Sequence, residues 1–301
     1  MISKDQITTI FCIADDFCKT FIETINRNAL PGCSTQIIRN KPCKLSDSEV
    51  ITLLTCFHLS GFRNLKTFYI GYVQKHLQSE FPNTVSYNRF VELTQKAIIP
   101  MVLMLQTLCN DKCTGISFID STPLRVCNNR RIHQHKVFKG IAERGHCSVG
   151  YFFGFKLHII INEKGELINF AMTKGNKHDA DKDLITQLTK SLFGKLYGDK
   201  GYLSKSLFEM LFHQGVHMVT KIRKNMKNCL MSFKDKLMLR KRAIIECVND
   251  ELKNICHIEH SRHRCFNNFI ANTISALLAY CFLPKKPSLN VEFIYSNQLS
   301  L

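Results

Sequence analysis

Three acids define the chemistry open to this chain: Asp120, Asp199 and Glu246. Asp120 closes the apolar run Gly115-Ile-Ser-Phe-Ile, and Asp199 closes Lys195-Leu-Tyr-Gly; each then leads into turn residues. Glu246 ends the segment Arg242-Ala-Ile-Ile-Glu, with Lys253 further along the same run. At the helical period Arg242, Glu246, Asn249 and Lys253 share one narrow stripe, while Ile244, Ile245, Val248, Leu252 and Ile255 share the opposite arc. One face of that helix therefore enters a core, and the other offers a carboxylate flanked by cations. A solvated surface glutamate is the plain alternative, but two aspartates on buried runs do not fit it. Carboxylates repel one another and gather where a cation compensates them. An oxygen-only set favours Mg²⁺ or Mn²⁺ over zinc. Two such ions, ~3.5–4 Å apart, activate an attacking oxygen and stabilise the leaving oxygen of a phosphodiester. Arg242 and Lys253 beside Glu246 would hold phosphates or developing charge.

These acids need a scaffold, and the pattern along the chain supplies one. The first third reads as helical: Ile7, Ile10, Phe11, Ala14, Phe17, Cys18, Phe21, Ile22 and Ile25 recur at helical spacing. Ser46-Asp-Ser-Glu49 has the spacing of a capping box, opening a helix that Gly61 can end. Another helix follows through Leu65, Phe68, Tyr69, Tyr72 and Val73; one more begins near Ser86, and Pro100 should kink or split it. From about residue 114 the pattern changes to strands. Gly115–Asp120, Val149–Asn162, Leu167–Thr173, Lys195–Asp199 and Val216–Ile222 read as five strands, with a hairpin turn at Asn162–Gly165. Helices fall at 180–192, 203–213, around Glu246 and at 267–281. That order implies a mixed sheet covered by helices, with Asp120 and Asp199 at strand ends and Glu246 on a packed helix. The expected division is a helical domain over 1–110 and an α/β domain over 111–301.

Charge points to the partner. The chain of 301 residues has 41 basic and 24 acidic side chains, a net charge of +17. Residues 1–110 hold 11 basic and 8 acidic groups; the remainder holds 30 and 16. Between Lys221 and Arg242 nine cations face the single acid Asp235. Such asymmetry implies a polyanion, with counterion release supplying much of the affinity. Nucleic acid is preferred over an anionic membrane surface, because the basic run lacks a broad apolar face. No apolar run reaches the length of a membrane span and the N-terminus lacks a signal-peptide layout, so a cytoplasmic protein is expected. The 14 cysteines are scattered, many in apolar runs, and read as reduced thiols.

Other clusters carry weaker signals. The Ser60-Gly-Phe-Arg63 turn fits a DNA-reading helix-turn-helix, or more simply an αα-hairpin. Cys256, His257, His260, His263 and Cys265 have the composition of a zinc site, but their cramped spacing, with Arg262 and Arg264 interleaved, reads as a basic DNA-facing segment. The stretch around Arg130, Arg131, His133 and His135 suits phosphate better than metal. Asp179 reads as the N-cap of the 180–192 helix, with a place near the acids as the alternative. Phe152, Phe153 and Phe155 read as core.

Taken together, these segments resemble the DDE transposases of bacterial insertion sequences, and most closely the IS982 family. The resemblance lies in Leu-Ser-Asp-Ser-Glu-Val (45–50), Phe-His-Leu-Ser-Gly-Phe-Arg-Asn (57–64) and Phe-Pro-Asn-Thr-Val-Ser-Tyr-Asn-Arg-Phe (81–90). It continues through Phe-Ile-Asp-Ser-Thr (118–122), Gly-Tyr-Phe-Phe-Gly-Phe-Lys-Leu-His (150–158), Thr-Lys-Gly-Asn (173–176) and Gly-Asp-Lys-Gly-Tyr (198–202). Arg-Ala-Ile-Ile-Glu (242–246) and His-Ser-Arg-His-Arg (260–264) complete it. The resemblance implies an RNase H-like catalytic core with Asp120, Asp199 and Glu246 as its acidic triad and metal ligands. It also implies two Mg²⁺ ions with Mn²⁺ as substitute, cleavage at terminal inverted repeats, and attack of the freed 3′-OH on target DNA. Asp120 would bridge both ions. Pairing two transposon ends implies at least a dimer on DNA, in a bacterial cytoplasm at the nucleoid. The DNA-contacting residues expected are Arg242, Lys253, Lys221, Arg223, Lys224, Lys241, Arg262 and Arg264, together with the N-terminal helices. A same-fold metal-dependent nuclease without strand transfer, or an inactive DNA-binding relic, would share many of these features. One departure is visible: where related enzymes often have a tyrosine three residues before the arginine, this chain has Leu239.

Overall fold

In the computed structural model, residues 2–28, 43–147, 150–222, 230–259 and 263–289 are described. Helix α1 (Lys4–Asn28) buries Ile7, Ile10, Ala14 and Cys18 against α2 (Asp47–Leu59). With 25 residues against 13, α1 outruns its partner. Its last turns therefore leave Ile22 and Ile25 exposed, although they continue the apolar spacing. The capping box of α2 forms as its spacing predicts. Ser46 Oγ accepts from the Glu49 N–H at 3.1 Å, and the Ser46 N–H donates to Glu49 Oε2 at 2.7 Å. Gly61, at φ +77°, turns the chain out of α2 in a conformation that side chains with a Cβ resist.

Beyond this turn the chain forms a π-helical stretch, Thr67–Val73, and a short α3 (Gln74–His76), so the suspected helix-turn-helix lacks a regular second helix. Phe57 and Phe62 each lie 5.6 Å from Phe68 by ring centroid and close the turn as an aromatic cluster. Ser86 caps α4 (Tyr87–Lys96), and the chain restarts as α5 (Ile98–Cys109). Pro100 falls in the first turn of α5, where its missing N–H has no helical partner to lose.

One six-stranded mixed sheet follows: β1 (Ile116–Cys127), β2 (Glu143–Cys147), β3 (Gly150–Asn162), β4 (Leu167–Lys174), β5 (Gly194–Gly198) and β6 (Val216–Thr220). Its order is β2-β3-β1-β5-β6, and β4 also pairs with β3. Strand β3 pairs antiparallel with β1, β2 and β4, whereas β1, β5 and β6 run parallel. Two expectations need correction. Asp120 does not end its strand. Antiparallel pairing with β3 carries β1 onward from Ser117↔Asn162 to Cys127↔Phe153, which holds Ser121, Thr122 and Pro123 extended. Pro123 is tolerated because β1 pairs with β5 only through Ile116–Phe118, leaving that edge free further along. Strand β2 was also not expected, since Glu-Arg-Gly-His-Cys has no apolar alternation. It needs none, because it lies at the end of the sheet order on β3.

Helices cover both faces. Ile119, Ile160, Leu196 and Met218 share a core with α6 (Lys182–Thr189) and α7 (Lys205–His213). The alternate residues Phe118, Tyr197, Leu157, Ile159 and Val219 face a larger core with α8 (Phe233–Lys241), α9 (Ala243–Asn254) and α10 (Phe266–Cys281). Helix α10 is buried from Ala271 to Tyr280 and packs on α5, α2, α4 and α9. Core residues before and after position 110 thus belong to one continuous cluster. His58 ties the two ends of the chain together: its ring nitrogens lie 2.6 Å from the Cys256 carbonyl and 3.0 Å from Ser275 Oγ. Among the described residues every cysteine is free, and no helix is long and apolar enough to cross a membrane.

Candidate active site

The parallel pairing of β1 and β5 fixes where two of the acids sit. Its last pair is Phe118↔Tyr197, whose rings lie 5.6 Å apart on one face of the sheet. Asp120 and Asp199 each follow that pair by two residues, so strand alternation puts both on the same face. That is the face covered by α9, and Ile244, Ile245, Val248 and Leu252 seat the helix there. Its other stripe carries Glu246 and Asn249 toward the strand, and Asn249 Nδ2 donates to Asp120 Oδ2 at 3.1 Å.

The second aspartate depends on its neighbours. Asp199 caps the 3₁₀ turn Lys200–Tyr202, accepting the Gly201 N–H at 2.6 Å. A Cβ on Gly201 would come within 2.8 Å of that same carboxylate oxygen, so a larger residue there would push the Asp199 carboxylate aside.

All three acids line one cleft of about 690 Å³, with Arg242 and Lys253. Arg242 stands between two of them: Nη2 donates to Glu246 Oε1 at 2.6 Å, and Nη1 lies 3.8 Å from Asp120 Oδ1. Asp120 is mostly buried, and its carboxyl is raised to about 6. Burial is the main cause and the charges of Asp199 and Glu246 add to it, while Arg242 and the Ser121 N–H oppose. Lys253 pairs with Glu259 at 3.6 Å, and Glu259 also accepts the Arg125 N–H at 3.0 Å.

Besides Glu259, a fifth carboxylate enters the same cleft. Asp179 does not cap α6; Asp181 does, accepting the Leu184 N–H. Asp179 Oδ1 instead accepts from Ser121 Oγ at 2.9 Å and from Lys156 Nζ at 3.1 Å. Lys156 also donates to the Lys177 carbonyl at 2.9 Å. Tyr202 completes the wall; its hydroxyl is raised well above the usual value by burial, with Asp120, Asp179 and Asp199 adding to the effect. Sequence reading missed Ser121, Lys156, Tyr202 and Glu259. The signal for Lys156 was a lone lysine inside the apolar run of β3.

The donor chemistry suits a hard divalent cation, since the acids offer only oxygens and Asn249 Oδ1 is buried without a hydrogen-bond partner. As the side chains stand, no three acid, histidine or cysteine groups among the described residues converge closely enough to hold a metal. In this arrangement one oxygen of Glu246 is turned to the Arg242 guanidinium.

The basic residues expected to meet DNA divide among several places. Arg242 and Lys253 line the acidic cleft, and Lys221 lines a smaller adjoining one of about 270 Å³ beside Asp199 and the buried Leu239. Lys241 is exposed at the end of α8. Arg264 lies away from the acids, in a separate cleft. Arg223, Lys224 and Arg262 lie outside the described residues, as does His260. The rest of the cysteine–histidine cluster faces partly inward: Cys256 is buried, and burial lowers His263 to about 4. Arg130, Arg131 and His133 fall in an exposed 3₁₀ turn, Asn129–Gln134, whereas Phe152, Phe153 and Phe155 are buried.

Comparison with known proteins adds a family. The model of the transposase DDE domain matches residues 110–266, slightly more than half of the chain. Among solved structures, a cryo-EM structure of a piggyBac transposase synaptic complex with hairpin DNA is similar at 12% identity and a TM-score of 0.47; the match covers 92% of this chain and 73% of that one. No curated protein matches.

Proposed function

Since the chain belongs to the transposase DDE-domain family, we propose that it is an IS982-type transposase that cuts DNA at the terminal inverted repeats of an insertion sequence and joins the freed 3′-OH ends to target DNA. The observation that carries this reading is the shared register of Asp120 and Asp199 beyond the last β1/β5 pair, with α9 bringing Glu246 to the same cleft. The order of antiparallel and parallel strands supports an RNase H-like core. In this reading residues 1–110 serve DNA binding and 111–301 form the catalytic domain.

Asp120, Asp199 and Glu246 would hold two Mg²⁺ ions, or Mn²⁺ in their place. Such ions activate the attacking oxygen and stabilise the leaving one. Arg242 holds only Oε1 of Glu246, so the other carboxylate oxygen is available to this set, and the guanidinium beside it could also receive a phosphate oxygen. Lys253 sits near enough to the cleft to grip the neighbouring phosphate. The Lys156–Asp179–Ser121 chain braces the strand next to Asp120, keeping its carboxylate in place. Two ends must be paired before joining, so the working species on DNA is at least a dimer. The place of action is the bacterial cytoplasm, at the nucleoid.

The test is incubation of the purified chain with Mg²⁺ and labelled DNA bearing the repeats that flank its own gene. Nicks at the repeat ends together with joined products, both lost in Asp120→Asn and Glu246→Gln, are expected. Nicks without joined products would leave a nuclease, binding without cleavage a DNA-binding relic, and cleavage surviving both substitutions would place the active site elsewhere.

A further inference from the structure

A second cleft of about 710 Å³, similar in size to the acidic one, opens where the turn after α2 meets the starts of α4 and α10. Among the described residues its lining contains no carboxylate. Arg63, Lys66 and Arg264 contribute three cations, and among the described residues none of them forms an ion pair with an acid. Leu54 and Phe57 give it an apolar floor, while Tyr87 and Asn268 stand in its walls. Burial pushes the Tyr87 hydroxyl up and the Arg264 charge opposes this, so the cation lies near the ring that would receive a ligand. Asn268 Oδ1 is buried and accepts no hydrogen bond among the described residues. Helix α10, whose first turn brings Asn268 here, has no side-chain cap at Cys265.

We propose that this cleft binds single-stranded DNA, seating one unpaired base against Tyr87 and the adjoining phosphates on Arg63, Lys66 and Arg264. The proposal rests on the reading of the chain as a DNA-processing enzyme and adds to it a site for an unpaired strand, remote from the acids. Each part of a nucleotide has a complement here. The base is a flat ring with an apolar face and at least one N–H donor at its edge, which suit Tyr87, the floor and Asn268 Oδ1. The phosphates are anions, and the cations at this cleft are uncommitted. A cleft of this size encloses a nucleotide or two, as pockets for drug-sized ligands do. A duplex, whose major groove alone is ~12 Å wide, can only rest on its rim.

The test measures binding alone, in EDTA, by fluorescence anisotropy of a labelled single-stranded oligonucleotide and of a blunt duplex of the same sequence. The double variant Arg63→Ala/Arg264→Ala should lower the slope of log affinity against log salt by about 1.4 on the single strand, two contacts at about 0.7 each. Tyr87→Ala should weaken single-strand binding about fivefold or more, and Tyr87→Phe should restore it. Blunt-duplex affinity should stay within about twofold in the Tyr87 variants, and the arginine pair should lower it less than it lowers single-strand affinity. Unchanged single-strand affinity and slope in the arginine pair would overturn the proposal, as would equal losses on strand and duplex. Displacement of the strand by an equal concentration of thymidine monophosphate would assign the cleft to free nucleotides and overturn it too. Asp120→Asn, measured alongside, should bind the strand like wild type. Loss of its cleavage activity tests the catalytic reading, so either idea can fail without the other.

Discussion

The two clefts are nearly equal in volume and opposite in construction. In the acidic cleft almost every charge already has a partner: Arg242 holds Asp120 and Glu246, Lys156 holds Asp179, and Lys253 holds Glu259. In the other cleft, acid-free among the described residues, Arg63, Lys66 and Arg264 stand among apolar and amide side chains. Paired charges are oriented groups that a ligand must rearrange, whereas unpaired surface cations already attract any polyanion. The first arrangement suits a site where chemistry is timed by what arrives. The second suits a site that only holds. The elements behind them differ likewise, since one cleft is set by strand register and the other by helix ends from distant parts of the chain.

The comparison is most easily broken through the carboxylates. Asp120→Asn keeps the Asn249 contact sterically possible but removes a charge around which the acidic cleft is organised. Cleavage should fall by about 10³-fold or more, the scale seen when one member of a concerted catalytic set is lost, in a gel assay with labelled repeat-end DNA. Single-strand binding in EDTA should not change. A parallel loss of binding would mean that the two clefts act as one site.

Why the acidic cleft was legible in the sequence, and the other was not, follows from the same contrast. Asp120, Asp199 and Glu246 interrupt or border apolar runs, and a polar group at the edge of a buried element leaves a mark in the pattern. Lys156 leaves the same mark inside β3. Asp179 was ambiguous because two aspartates stand within the span that begins α6, and only the fold decides that Asp181 caps the helix while Asp179 reaches Ser121. The length of β1 was hidden as well, since Ser121-Thr-Pro reads as a turn until β3 supplies a partner. No local pattern could place Arg63 beside Arg264. Their meeting depends on α10 entering the core of the helical first third, a long-range packing event that periodicity does not report. The capping box at Ser46 and the split near Pro100 were legible because those signals are local.

The ion pairs of the acidic cleft should also show in stability. Asp179→Ala leaves the nearly buried Lys156 ammonium with only the Lys177 carbonyl, and should cost about 2–3 kcal/mol. Asp179→Asn, which keeps an acceptor, should cost about 1 kcal/mol. Urea denaturation at pH 7 reads both. Equal, small costs would show that Asp179 serves the reaction alone and not the frame around it.

His58 couples the two regions, because it lies one residue from Phe57 in the floor of the acid-free cleft and bonds the Cys256 carbonyl just beyond α9. Burial pushes its pKa down to about 4 in the folded chain, from 6.5 when exposed. Stability from this residue is therefore complete above pH 6.5. As pH falls the unfolded chain takes up the proton first, and the loss grows until the folded value near 4 is reached. At pH 5 the cost attributable to His58 is about 2 kcal/mol. His158 and His263, also lowered to about 4 by burial, add to the decline of the wild type. His58→Gln should accordingly be less stable than wild type at pH 7 and lose about 2 kcal/mol less between pH 7 and pH 5. Parallel pH profiles would remove His58 as the pH-sensitive link.

The smallest effect concerns the cations of the acid-free cleft. Arg63→Ala and Lys66→Ala remove exposed charges that hold no acid among the described residues, so each should change folding stability by no more than about 0.5 kcal/mol in either direction. Mutual repulsion among the three cations would even make the sign slightly favourable at low salt and null at high salt, as the Debye length shrinks. That near-silence separates the two designs more sharply than any loss could. A cation retained for the fold is missed when it is removed, as the Asp179–Lys156 pair should be. A cation retained for a ligand is missed only when the ligand is present. Thermal melts of the Arg63 variant with and without a single-stranded oligonucleotide make the distinction. The wild type should gain stability on adding the strand, by mass action, and the variant should gain less at the same concentration. A large loss without DNA would instead make Arg63 part of the helical frame and leave the acidic cleft as the one place where charge is arranged for function.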